Sequence, residues 1–232
     1  MVDKLTEFPG LYGLFFYNLS FNVGYPVVLN SGSTQILTIL NAAGPFGSVR
    51  NATDISDQSM WVFAFVKNPY DRALLTWNQE NVDLILSPAA KAQQFYDDML
   101  VIALDTRRSD LADHGNYRTQ FDLLDEVLGN EGNGGRKANF IGRMETFETD
   151  MLTVQTQMDK TQPGISLNIV PEHTIGYPDG IGESVLVDKD TVFADTTYDS
   201  YLSYADAYSS QQTKDLIYFI YREDFDTYLY AQ

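Results

Sequence analysis

The sequence predicts an α/β domain in which a parallel sheet is covered on both sides by helices, a three-layer arrangement. Three observations carry that expectation. Short β-branched or aromatic runs alternate with longer runs whose apolar residues recur at helical spacing. One of the short runs, "MWVFAFVKN" (Met60 to Asn68), is apolar almost throughout, as a strand buried on both faces must be. The chain has 232 residues and no internal repeat, enough for one sizeable core, so residues 1–232 are expected to form a single domain.

The elements follow in order. "YPVVLN" (Tyr25 to Asn30) reads as a strand, and "STQILTIL" (Ser33 to Leu40) as a helix with Ile36, Ile39 and Leu40 on one face. Met60 to Asn68 is the second strand, after which Pro69 suits a first helical position, with Leu74, Trp77 and Leu84 as packing candidates. Pro88 to Leu104 forms the next helix, capped by Ser87. Apolar content then drops through "DTRRSDLADHGN", a loop, and "YRTQFDLLDEVLG" returns to the core. "GNEGNGG" (Gly129 to Gly135) is a surface excursion, and "KANFIGRMETFETDMLTVQTQMD" gives a short strand, a turn and a helix with an acidic first turn. Lys160 to Asp199 is mixed and broken by Pro and Gly, whereas Ser210 to Leu229 reads as one long helix presenting Leu216, Phe219, Ile220 and Phe225. Phe63, Phe65 and Phe219 are assigned to the core, and Trp77 to packing.

Composition narrows the function. Lys and Arg number 15 against 32 Asp and Glu, a net charge of -17, which repels nucleic acid and anionic membrane. A small anionic ligand remains compatible with that field, because helix N-termini and backbone N–H groups can gather inside an acidic shell. Cysteine is absent and His114 and His173 are the two histidines, so thiolate and histidine-rich metal centres and cysteine nucleophiles are excluded; a carboxylate-bound ion stays open. No secretory leader and no apolar run of membrane-spanning length is seen, and the expectation is a cytoplasmic or otherwise soluble protein.

Between the first strand and helix lies the turn Asn30, Ser31, Gly32, Ser33, Thr34. Such a turn points successive N–H groups into one small volume, Gly32 permits positive φ, and the hydroxyls of Ser33 and Thr34 can add hydrogen bonds. It is either an anion cradle or a plain strand-to-helix cap. The GxxxxGK[ST] pattern of ATPases and GTPases is missing. "FVKNPYDR" then puts Lys67 at the end of the second strand and Arg72 in the following helix. Two crossover units bring both loops to one sheet edge, the usual ligand position in α/β folds. Lys67 is a ligand cation or a solvated strand-end lysine; Arg72 is a ligand cation or the partner of nearby carboxylates.

These residues also carry a resemblance. "FVKNPYDRALLTW" resembles the 3′-phosphate motif of the sulfotransferase superfamily, in particular its carbohydrate-type branch, and "LNSGSTQIL" resembles that family's 5′-phosphosulfate loop, of the form P-K-x-G-S-T. "NYRTQFDLL" is similar to the branch's H-W-x-P-Q element, "FIGRMETFETDM" to I-G-x-x-E-x-x-x-x-D, and "IYREDFDTYLY" to the closing Y-x-x-D-F-x-x-x-x-Y helix. All five occur in family order from Asn30 to Tyr230. The resemblance implies a P-loop-like sulfotransferase fold using 3′-phosphoadenosine 5′-phosphosulfate (PAPS), which leaves as 3′-phosphoadenosine 5′-phosphate (PAP), with a glycan or small-molecule hydroxyl as acceptor. It assigns Asn30, Ser31, Gly32, Ser33 and Thr34 to the 5′ side and Lys67 to the 3′-phosphate, where the family commonly has arginine.

Three departures bear on activity. Asn30 stands at the lysine position of the 5′ loop and can donate a hydrogen bond but no charge. Leu75 stands at the 3′-phosphate serine position; Thr76 is next to it but one helical step, roughly 100°, away. Asn116 stands at the histidine position and Thr119 at the proline position of the H-W-x-P-Q element. Cations to offset the missing lysine are Arg118, Arg143 and the pair Arg107 and Arg108, each with a surface or structural alternative. For a base, His114 has a suitable ordinary pKa, with Asp113 and His173 as alternatives; Glu145 takes a supporting role. The expected function is sulfonyl transfer, with an inactive nucleotide- or ligand-binding relative and a nucleotide-dependent phosphotransferase as alternatives.

Overall fold

The structure is a computed structural model and describes residues 14–28, 30–57, 59–81, 83–106, 117–129, 135–169 and 201–231. They fall into two compact units, one within Met1–Val66 and Gln120–Pro171, the other within Lys67–Thr119 and Glu172–Gln232.

The first unit is built on a five-stranded sheet. A strand β1 (Phe15–Asn18) turns tightly into β2 (Val23–Pro26), because Asn18 accepts a hydrogen bond from Phe21 N–H (3.0 Å) and Asn22 takes a left-handed φ of 53°. A turn this short makes the pair antiparallel. Helix α1 (Ser33–Ala43) follows β2 and leads to β3 (Gly47–Val49), which pairs with β1. β4 (Trp61–Val66) lies parallel to β2, and β5 (Phe140–Arg143) parallel to β4, giving the order β3-β1-β2-β4-β5. The sheet is therefore mixed and flanked by helices, where the sequence led us to expect a parallel one. The difference is the β1 hairpin, whose four-residue strand is too short for its period to be read.

The core of this unit follows the strand period of two. Val23 and Tyr25 of β2, Val27 just after it, and Phe63 and Phe65 on β4 pack with Ile36, Ile39 and Leu40 of α1. From helix α5 (Phe147–Thr161) come Phe147, Met151, Val154 and Met158. Each such side chain stabilises the fold by about 1.5–3 kcal/mol when fully buried. Thr161 at the end of α5 donates to the Phe21 carbonyl (2.7 Å), and helix α4 (Gln120–Leu128) lies against β2.

The second unit is helical. Asn68 caps α2 (Pro69–Glu80) by accepting from Tyr70 N–H at 2.9 Å, with Pro69 at the first helical position as its fixed φ favours. Ser87 precedes α3 (Pro88–Thr106), and α6 (Tyr204–Ala207), α7 (Gln211–Ile220) and α8 (Arg222–Tyr228) complete the unit. Trp77, Phe95, Met99, Tyr208, Ile217, Tyr221 and Phe225 form its core. The single C-terminal helix expected from the sequence is two, broken at Tyr221 (φ -107°, ψ 25°), which lets both Tyr221 and Phe225 be buried. Ile217 and Ile220 are the inward residues of α7, and Phe219, expected in the core, is 46% exposed on its outer flank.

Candidate functional site

The residues proposed to meet a nucleotide fall on both units. In the sheet unit, β2 ends at Pro26, and the chain enters α1 through Asn30 (φ 56°) and Gly32 (φ 69°), both left-handed. Glycine suits position 32 first through its backbone conformation. Its φ disfavours a side chain, and a Cβ there would collide with the Met144 side chain. The Gly32 carbonyl accepts the first bond of α1, from Ile36 N–H at 3.0 Å. The first N–H groups of a helix have no partner within the helix, and here the N-cap supplies no side-chain acceptor and the first turn holds no acid. The positive end of the α1 dipole is thus left without a carboxylate of its own first turn.

The hydroxyls are arranged differently from the sequence expectation. Ser33 Oγ donates to the Val28 carbonyl (2.6 Å); having spent its proton there, it accepts from the Tyr25 hydroxyl at 2.9 Å. Ser31, completely buried, donates to Gln120 Oε1 at 2.8 Å. Thr34 is the exposed hydroxyl of the three. What the turn presents outward is backbone together with Thr34 and the partly exposed Asn30.

Arg143 ends β5, partly buried, and its N–H donates to Asp150 Oδ2 (2.8 Å), which also accepts from the Thr146 hydroxyl (2.7 Å). Asp150, quoted within the "IGRMETFETD" stretch but given no role by the sequence, thus ties β5 to the start of α5. Glu145 lies exposed in the short 3-10 turn Met144–Thr146 between them.

In the helical unit, Lys67 immediately follows β4 and is 1% exposed, which removes the solvated strand-end alternative. Arg72 is fully buried. Its Nη1 donates to the Arg118 carbonyl (2.7 Å), and its guanidinium lies 5.8 Å from the Tyr221 ring centre, a cation–π distance. Burial pushes the Tyr221 phenol up, opposed by the Arg72 charge. Arg72 is therefore built into the core of its unit. Thr76 is buried and its hydroxyl donates to the Arg72 carbonyl (2.8 Å), so it does not present a substitute for the serine that Leu75 replaces. Arg118 is partly exposed.

His114, Asn116, Asp113, Arg107, Arg108 and His173 lie outside the described residues. Among the described residues no group of three or more His, Asp or Glu could hold a metal ion, and no helix is long and apolar enough to cross a membrane. A groove on the helical unit is lined by Tyr96, Leu100, Leu104, Leu216 and Phe219, and none of the site residues named above borders it. Two participants escaped the sequence reading. Gln120 closes the quoted "NYRTQ" stretch, but its partner Ser31 is 89 residues away, and nothing local marks Tyr25 as the support of Ser33.

Comparison with protein-family models, with curated proteins and with solved structures finds no match for this chain.

Proposed function

We propose that the chain is a sulfotransferase-type protein of P-loop-like fold that binds PAPS and passes its sulfonyl group to a hydroxyl of a carbohydrate or another small acceptor. The observation that carries this reading is the turn between β2 and α1. It has left-handed Asn30 and Gly32, no side-chain cap and no first-turn acid. β4, the parallel neighbour of β2, hands the chain directly to "KNPYDR", the stretch the resemblance assigns to the 3′-phosphate. The residues present fit a 5′-phosphate by backbone and helix dipole, with less help from hydroxyls than the resemblance implied.

When bound, PAPS supplies the sulfonyl group and its phosphate leaving group. The first-turn N–H groups of α1 and the Thr34 hydroxyl orient the 5′ side, and Asn30 donates a hydrogen bond where the family pattern has lysine. Lys67 supplies charge toward the 3′-phosphate, as a point charge without the planar fork of arginine. Arg118 and Arg143 are candidate offsets for the lysine that Asn30 replaces. His114 takes the proton of the acceptor hydroxyl, and Glu145 supports the loop that follows β5. Loss of one charge-stabilising donor costs about 3 kcal/mol, so turnover on the order of a hundredfold slower than with a lysine is expected.

A second reading, a PAP-binding protein without turnover, is favoured by the inward hydroxyls of Ser31 and Ser33 and the engaged Thr76 hydroxyl. A transfer assay with labelled donor across sugars and small alcohols separates the two. Slow labelled product that is lost in His114→Ala supports transfer. Saturable PAP binding without product supports the second reading, and neither product nor binding refutes both.

A further inference from the structure

We infer that Gln120 is a positioning residue for the turn 30–34, holding it through Ser31 in the form that receives the 5′-phosphate; the inference rests on the nucleotide-binding reading above. Ser31 sits between two left-handed residues, Asn30 (φ 56°) and Gly32 (φ 69°). A left-handed non-glycine residue is held against a local preference of roughly 1 kcal/mol, least for asparagine, and such a conformation persists where its surroundings over-determine it. The Ser31 hydroxyl donates to Gln120 Oε1 at 2.8 Å, and both residues are completely buried. Buried hydrogen bonds of this kind restrain geometry strongly, because breaking one leaves polar atoms away from water.

Gln120 is itself well anchored. It opens α4, whose Leu123, Leu124, Val127 and Leu128 are buried and which lies against β2, the strand that feeds the turn. The strand before the turn and the turn's second residue, Ser31, are thus referred to one helix. The chemistry of glutamine also suits the place, since its amide oxygen accepts the serine proton without putting a negative charge behind a turn that receives an anion. Gln120 touches no ligand in this account; it acts through Ser31.

The test compares two ligands that differ only at the 5′ position, PAP and adenosine 3′-monophosphate. Both are titrated calorimetrically into the full chain as wild type, Gln120→Met, Ser31→Ala and the double variant, with urea unfolding of each in parallel. The expected result is that Gln120→Met and Ser31→Ala each weaken PAP about tenfold, a change of the size one hydrogen bond produces. Adenosine 3′-monophosphate affinity then stays within about twofold, and the double variant is no worse than the weaker single. Equal losses for both ligands, in step with lost stability, assign Gln120 a structural role and overturn the inference, as does unchanged PAP affinity. If wild type itself binds PAP no more tightly than adenosine 3′-monophosphate, the nucleotide reading falls first, before any variant is compared. Should Gln120→Met fail to fold, Ser31→Ala removes the other end of the same bond with a small change of volume and carries the same discrimination.

Discussion

Replacing Tyr221 by phenylalanine should make the protein more stable. Tyr221 is 0% exposed, and its hydroxyl has no hydrogen-bond partner among the described residues. An unsatisfied buried hydroxyl costs roughly 1–3 kcal/mol. The ring contact to the Arg72 guanidinium, 5.8 Å from the ring centre, survives in phenylalanine, while the attraction of the phenol oxygen for that charge is lost. We therefore expect a net gain of about 1 kcal/mol. Tyr208→Phe is the internal control. It removes the same atom from an equally buried ring of the same core, but there the hydroxyl donates to the Tyr70 carbonyl at 2.6 Å, and a loss of about 1 kcal/mol is expected. The two deletions thus differ in sign and by about 2 kcal/mol, roughly a thirtyfold difference in folding equilibrium. Urea unfolding followed by circular dichroism reads this as shifts of the midpoint at constant slope. Destabilisation of Tyr221→Phe by more than about 1 kcal/mol would show that the hydroxyl has a partner and refute the reasoning.

Three further outcomes follow from the same contacts. Gly32→Ala should cost at least about 1–2 kcal/mol, from its φ of 69° and from the collision with Met144; an unchanged thermal midpoint would contradict the turn geometry. Alkali should unfold the protein through its tyrosines. Burial is the first cause that pushes Tyr204 up to about 12 and raises Tyr117, Tyr208 and Tyr221 well above their ordinary value of 10.0. The unfolded chain ionises first, so this stability is complete below pH 10.0 and is lost as pH rises beyond it. Tyrosinate absorbance should then appear together with loss of circular dichroism; full ionisation with the fold intact would contradict the burial. Finally, the net charge of -17 opposes compaction, so the melting temperature should rise with sodium chloride from low to physiological ionic strength, and a flat or falling trend would contradict self-repulsion.

Several elements were legible because local chemistry and packing agree. Pro69 after Asn68, Ser87 before Pro88, and the acidic first turn of α5 mark helix starts that the structure keeps, and the apolar run from Trp61 to Val66 is the interior strand β4, flanked by β2 and β5. β1 and β3 have four and three residues, too few for a strand period, and the break at Tyr221 carries no glycine or proline to announce it. At the candidate site the left-handed glycine was legible from its type and position. The destinations of the neighbouring hydroxyls were not, since Ser31 meets a residue 89 positions away and Ser33 turns back to Val28. Lys67 read as a solvated strand-end lysine at least as readily as a ligand cation, because nothing in its local sequence announces the burial to 1% exposure.

The most direct test of the nucleotide reading is a calorimetric titration of the full chain with PAP, alongside inorganic sulfate. Saturable one-to-one binding of PAP that sulfate alone does not reproduce is the predicted result. Absence of saturable PAP binding, or heats no different from those of sulfate, would contradict it.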